Sequence, residues 1–365
     1  MAPRAEFRTC RPTLLALLAA LMLATTACHG HADGRKLRLL TWADYAPADV
    51  VAQFEQETGI TVKVTLSNNE EIISKLHATD GAGFDLAQPS VDRLTGVQRD
   101  FGIYKPIDES KVKLEQFRPE ILEIARRNAT LDGHLYALPF LWGTDGVVAN
   151  GRLTQGVADY TDVCRPEFKG RTSLRLRRPI LMGFAFAMGH DPFALYGDPK
   201  AYAALMEAVG DKLASCKDNL RFFFDNKDQL LNAMRAGEVI DADMWDTGGW
   251  TLNRENPDIV YVVPKSGALG WLDTFALPSR GRNDAAAYAW INFTMRPDIA
   301  ARITRHVGNW TAARGTEDLV DPRMRAQFNE SFPGGAFQNI HWYPAIPSGL
   351  EEIEGRILDR VKAAQ

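Results

Sequence analysis

Apolar and polar positions along the chain switch repeatedly between a period of two and a period near 3.6. Lys36 to Trp42, KLRLLTW, is an almost continuously apolar run and reads as a strand. PADVVAQFEQETG follows as a helix, with Pro47 near its start and Gly59 in the cap position. ITVKVTLS then alternates cleanly, setting Ile60, Val62, Val64 and Leu66 on one face. NNEEIISKLHATDGAG carries an Asn cap and places Ile72, Ile73 and Leu76 at helical spacing, after which FDLAQPS returns as a strand. Three strands joined by two helices form a βαβαβ unit. That topology predicts a mostly parallel sheet with ligand sites outside the C-terminal strand ends.

The middle of the chain repeats the alternation as a second α/β lobe. PILMGFAFAMG, PKAYAALMEAVGDKLASC and KDQLLNAMRAGE are helical patterns, and RFFF, VIDADMW and DIVYVVPK are short strands among them. From NDAAAYAWINFTMRPDIAARITRHVG onward the pattern is helical again, ending in SGLEEIEGRILDRVKAAQ. No long flexible linker separates the two parts. Interwoven lobes are therefore expected, with crossing strands around LPFLWGTDGVVAN and GWLDTFALP.

Composition bounds the compartment. Arg4, Arg8 and Arg11 precede the apolar run Leu14 to Leu23 and then ATTA, the layout of a secretory signal peptide over residues 1–27, too short for a membrane span. Cleavage after Ala27 or Ala32 releases a soluble protein, whereas TTAC resembles an imperfect lipobox with Cys28 lipidated. His29, His31 and Asp33 fall in the tether or the discarded peptide, so no metal site is assigned. Those first 27 residues hold three arginines and one glutamate, leaving 39 basic against 45 acidic residues. This balance argues against a nucleic-acid partner. In an oxidising compartment Cys164 and Cys216 are expected to form a disulfide.

The candidate chemistry gathers at strand ends. In GALGWLDTFALP an aspartate interrupts an apolar strand, and residues two apart share a face, so Trp271 and Asp273 stand side by side. An indole beside a carboxylate is a receptor for an ammonium group. TWADY repeats the spacing with Trp42 and Asp44 and adds Tyr45; QPSVD offers Ser90 and Asp92; VIDADMWD ends in Trp245 and Asp246. Aromatic walls with few polar groups describe a small-molecule pocket. A secreted hydrolase using Asp44 and Asp273 as acid and base is the rival from another class. G-x-S-x-G, HExxH and P-loop motifs are all missing, and no histidine falls at a strand end near these aspartates, so no enzymatic activity and no cofactor are expected.

From about Lys36 to the C-terminus the chain resembles the periplasmic spermidine/putrescine-binding proteins of ABC importers. The resemblance lies in LLTWADYAPADVVAQFEQETGITVKV, GFDLAQPS, YALPFLWGTDGVVAN, RPEFKGR, Met244 with Trp245, GWLDTFALP and AWINFTMRPDIA. It implies a type II two-lobe α/β binding-protein fold closing on a ligand cleft, with lobe 1 over 36–145 plus about 277–325 and lobe 2 over 146–276 plus about 326–365. It also implies a monomer that hands its solute to an inner-membrane permease. Carried over by position, Trp42 and Tyr45 become aromatic walls and Asp44 a polar contact. Trp245 and Trp271 would sandwich the ligand, Asp273 would pair with an amine, and Gln338 would touch it.

Departures from the pattern bear on the solute. Where polyamine-binding relatives place acidic side chains on the second lobe, this chain reads RTSLRLRRPIL, which puts Arg177 and Ile180 there; Asp92 stands where a tyrosine is usual. A cation about 5 Å from Arg177 would be repelled by about 3 kcal/mol at an effective dielectric of about 20. A zwitterionic or anionic solute, amino acid-like or aminophosphonate-like, with its acid end on Arg177, is therefore the alternative to a polyamine.

Overall fold

The computed structural model describes residues 35–333 and 337–364. The readings of the signal peptide, of Cys28 and of the His29, His31 and Asp33 group lie outside the described residues.

The chain builds one long mixed sheet with helices packed along it. Its order from edge to edge is Thr61–Leu66, Lys36–Thr41, Leu86–Ala87, Ala268–Pro278, Ala137–Asn150, Asp241–Trp245, Thr172–Leu174 and Leu220–Phe223. The first three strands are parallel, as the βαβαβ pattern predicts. The alternating segment is the edge strand of this set, and its apolar face is less covered than its pattern suggests: Val64 and Leu66 are exposed. An edge strand has a neighbour on one side only, so its outer apolar positions lack a full covering layer.

Two strands hold the lobes together. Ala137–Asn150 and Ala268–Pro278 pair antiparallel, from Leu269 opposite Asp145 to Ala276 opposite Ala137, with an irregularity between Asp273 and Thr274. At one end Ala276 pairs with Ala87 of the first lobe, and at the other Asp145 pairs with Trp245 of the second. Both strands are buried along almost their whole length, which is why the sequence keeps them apolar apart from a few positions.

Burial is divided between two clusters. The larger contains Leu39, Phe54, Leu76, Phe140, Phe275 and Trp290; the smaller contains Val147, Tyr160, Leu181, Tyr202, Met206 and Ile357. Cys164 and Cys216 are joined by a disulfide with Cα atoms 4.7 Å apart, tying the short helix Tyr160–Cys164 to the end of the helix Pro199–Ser215. The long helical stretch after Asn283 breaks into Asp284–Thr294 and Pro297–Val307, with Pro297 opening the second helix. Near the C-terminus, Ile340–Trp342 adds a parallel partner to Ala268–Gly270, and the helix Leu350–Ala363 covers the smaller core through Ile357 and Val361.

Candidate ligand cleft

A cavity of about 620 Å³ opens at the C-terminal ends of the first-lobe strands and faces the second lobe. Its floor is one face of the crossing strands. Antiparallel partners point to the same side of a sheet, and residues two apart along a strand return to that side. The register therefore places Asp273 with Leu141, Trp271 with Gly143, and Leu269 with Asp145 on one face, and Trp245 joins them opposite Asp145. The result is a row of carboxylate, indole, carboxylate and indole.

Asp273 anchors the first-lobe end of that row. Tyr45 Oη donates to its Oδ2 at 2.5 Å and Ser90 Oγ donates to its Oδ1 at 2.5 Å. Ser90 is oriented by Asn69, whose Nδ2 donates to the serine hydroxyl at 3.0 Å while its Oδ1 accepts from the Ser90 backbone N–H at 3.0 Å. Burial pushes the Asp273 carboxyl up to about 6, and the two hydroxyl donors oppose the shift. At neutral pH it is thus an anion with hydrogen bonds but no counter-ion at its side. Trp42 closes the adjoining wall, its indole N–H held by the Gln88 carbonyl at 2.9 Å.

Trp271 lies flat across Gly143. A Cβ at that position would sit 2.5 Å from the indole, so only glycine leaves room for the ring. The Trp271 indole N–H is buried without a partner among the described residues. Further along, Asp145 is 4% exposed, and its carboxylate accepts no hydrogen bond among the described residues. Burial drives its pKa above the usual carboxylate range, with nearby Arg175 pulling the other way. The Arg175 guanidinium lies 4.4 Å from the centre of the Trp245 ring. One indole face of Trp245 is therefore covered by a cation, and a sandwich of the solute between Trp245 and Trp271 would use only the other face.

The arginine cluster of the second lobe resolves into separate roles. Arg177 lines the cleft mouth, but its side chain is 58% exposed and donates to Asp225 at 3.0 Å. Its guanidinium is turned to that surface carboxylate while its side chain stays in the cavity lining, so it forms no fork towards the cleft in this arrangement. Ile180 is fully buried in the smaller core, two residues into the helix opened by Arg178 and Pro179. Arg178 donates to Asp92 at 2.9 Å and to Glu354 at 3.2 Å, bonds the Tyr196 hydroxyl, and stacks 5.1 Å over Tyr343. Asp92 lines the cleft but its charge is taken by Arg178, making this pair a strut from the first lobe to the second.

Three expected contacts lie elsewhere. Asp44 sits at φ 67° in the turn after the first strand, its side chain 73% exposed and 3.8 Å from His306. The left-handed turn swings it away from the cleft wall, so the Asp44 and Asp273 acid–base pair of the hydrolase reading is not assembled. Asp246 opens the helix Asp246–Glu255 and accepts from the Thr144 N–H and hydroxyl at 2.9 and 3.0 Å and from the Thr247 N–H at 2.6 Å. It is buried with its pKa raised by that burial to about 7, and it ties helix to crossing strand. Gln338 is exposed and does not line the cavity. The cavity instead brings in Asn69, Asp145, Arg175 and Tyr343, which the sequence reading missed. Asp145 carried a usable signal, an aspartate interrupting an apolar crossing strand as Asp273 does.

Comparison with known proteins agrees with this geometry. Residues 49–327 match the family model described as bacterial extracellular solute-binding protein. The chain is 26% identical over 96% of its length to the putrescine-binding periplasmic protein PotF of Escherichia coli, covering 98% of that protein. It is 29% identical over 84% of its length to the spermidine/putrescine-binding periplasmic protein of E. coli, covering 86% of it. The crystal structure of the PotD substrate-binding protein of a spermidine/putrescine ABC transporter from Streptococcus pneumoniae superposes with a TM-score of 0.76 at 23% identity, over 90% of this chain and 99% of that one. Among the described residues no helix is long and apolar enough to cross a membrane. With a two-lobe fold, a cleft at the strand ends and a family match over most of its length, this chain belongs to the bacterial extracellular solute-binding proteins.

Proposed function

We propose that the protein captures a polyamine, or a related amine-bearing solute, in this cleft and passes it to an ABC-type permease, acting as a monomer and leaving the solute chemically unchanged. The observation that carries the reading is Asp273: a buried carboxylate beside an indole, held by two hydroxyl donors and open to the cavity. An ammonium there completes the charge balance that burial otherwise leaves unfavourable. The names of the E. coli relatives point to the same solute class. The lobes that close are 36–145 with about 277–325 and 146–276 with about 326–365, hinging at the crossing strands.

Titration calorimetry of the exported chain with putrescine and spermidine tests the reading, together with mass analysis of the solute recovered from the complex. Binding with intact recovery supports it; absence of binding to both amines overturns it. A second reading, a zwitterionic amino solute, is favoured by Arg175. No carboxylate lies within ion-pair distance of that guanidinium among the described residues, and its buried Nε has no hydrogen-bond partner. Binding of an ω-amino acid in preference to both polyamines distinguishes this case.

A further inference from the structure

We infer that Asp145 is a second cation-recognition group, so that the cleft is built for an extended triamine in preference to a short diamine. The inference rests on the amine reading above and adds the length of the solute to it. Asp145 shares the cleft-facing side of the crossing strands with Asp273 and Trp271. Leu141, opposite Asp273, and Asp145 are four residues apart on one strand, which at ~3.3 Å per residue separates the two carboxylate positions by about 13 Å along the floor. Between them lies the Trp271 ring, kept level with the floor by Gly143. A flat apolar stretch flanked by two anions matches a methylene chain with a cationic group towards each end.

Asp145 is not explained by the fold. Buried acids are ordinarily hydrogen-bonded or paired, and this one is 4% exposed without a donor among the described residues. Asp246, by contrast, accepts from Thr144, Thr247 and Asn309; Asp241 and Asp243 are also buried with carboxylate oxygens that lack a donor among the described residues, but neither lines the cleft as Asp145 does. Arg175 lies close enough to act on Asp145 electrostatically but not within ion-pair distance, and is itself stacked on Trp245. Burial and the nearby Asp246 and Asp243 carboxylates raise the Asp145 pKa while Arg175 opposes them, so a cation bound at Asp145 favours its ionised form and is expected to release a proton.

The test compares spermidine and putrescine on the wild-type protein and on Asp145→Asn, by calorimetry in two buffers of different ionisation enthalpy at pH 6.5. Wild-type protein is expected to bind spermidine more tightly than putrescine and to release more protons with it. Asp145→Asn is expected to weaken spermidine by about 30-fold, from a pair of this kind at partial burial, while putrescine changes by less than about threefold. Equal spermidine affinity in the two proteins overturns the inference while leaving the amine reading intact. Should the variant fail to fold, the wild-type proton count decides: equal release with the two amines, or uptake, overturns the second cation site. If neither amine binds wild-type protein, the amine reading fails and the inference falls with it.

Discussion

Replacing Asp273 by asparagine separates the carboxylate's charge from its shape. Asparagine keeps one oxygen for Tyr45 or Ser90, and either hydroxyl can rotate to accept from the new amide, so the hydrogen bonds at 2.5 Å have replacements. What is lost is the anion. An ammonium about 4 Å from a carboxylate gains ~4 kcal/mol at an effective dielectric of about 20. Desolvating the ammonium offsets part of this, and a net loss of about 2 to 3 kcal/mol corresponds to a Kd raised roughly 30- to 150-fold. Stability moves the other way. Burial raises the folded-state pKa to about 6, so the aspartate's stabilising share is present at low pH and is lost as pH rises through that value. At pH 7.5 the neutral amide avoids this loss, and Asp273→Asn is expected to melt at or slightly above the wild-type temperature. Calorimetry with spermidine and putrescine reads the first effect and differential scanning calorimetry the second. Affinity within threefold of wild type, in a variant that melts normally, would refute the assignment of Asp273 as the amine's counter-charge.

Other consequences follow from the same geometry. The ligand-free protein should lose melting temperature from pH 5.5 to 8.5, because burial lifts Asp273 to about 6, Asp246 to about 7 and Asp241 to about 8, and acids with raised folded-state pKa values weaken the fold as they ionise; a melting temperature that climbs steadily across this range contradicts those shifts. Gly143→Ala places a Cβ 2.5 Å from the Trp271 ring and should cost about 1 to 3 kcal/mol of stability and weaken amine binding at least tenfold, read by denaturant titration and calorimetry. Reducing the Cys164–Cys216 bridge, which closes a 52-residue separation, should destabilise the protein by about 4 kcal/mol in urea unfolding, and an unchanged midpoint would show that the bridge contributes nothing.

Much of the architecture was legible because periodicity reports burial. The parallel strand–helix–strand start, the split lobes and the crossing strands all follow from apolar runs bounded by caps, and Asp273 stood out because a charge inside such a run needs a reason. The failures share a cause: sequence position does not give direction in turns or at helix starts. Asp44 has the same spacing from Trp42 that Asp273 has from Trp271, but a residue at φ 67° leaves the strand's alternation and points outward. Asp246 follows Trp245 yet begins a helix, so it turns inward to Thr144. Arg177 and Arg178 are adjacent at the start of a helix, and one faces solvent and Asp225 while the other is buried against Asp92 and Glu354. Asp145 was overlooked for a different reason. Its strand reads as a spanning element, and only the register with Ala268–Pro278 shows which of its residues share the Trp271 face.

Whether this cleft takes an amine-bearing solute on Asp273 is decided by thermal melting of the unmodified exported chain against spermidine, putrescine and an ω-amino acid. At 100 times its dissociation constant a ligand adds about 2.7 kcal/mol, which for a protein of this size raises the melting temperature by several degrees. Such a rise is expected with spermidine, and a smaller one with putrescine at equal concentration. No rise with any of the three would contradict amine capture on Asp273, whereas a rise with the amino acid alone would keep its ammonium on Asp273 and place its acid end on Arg175.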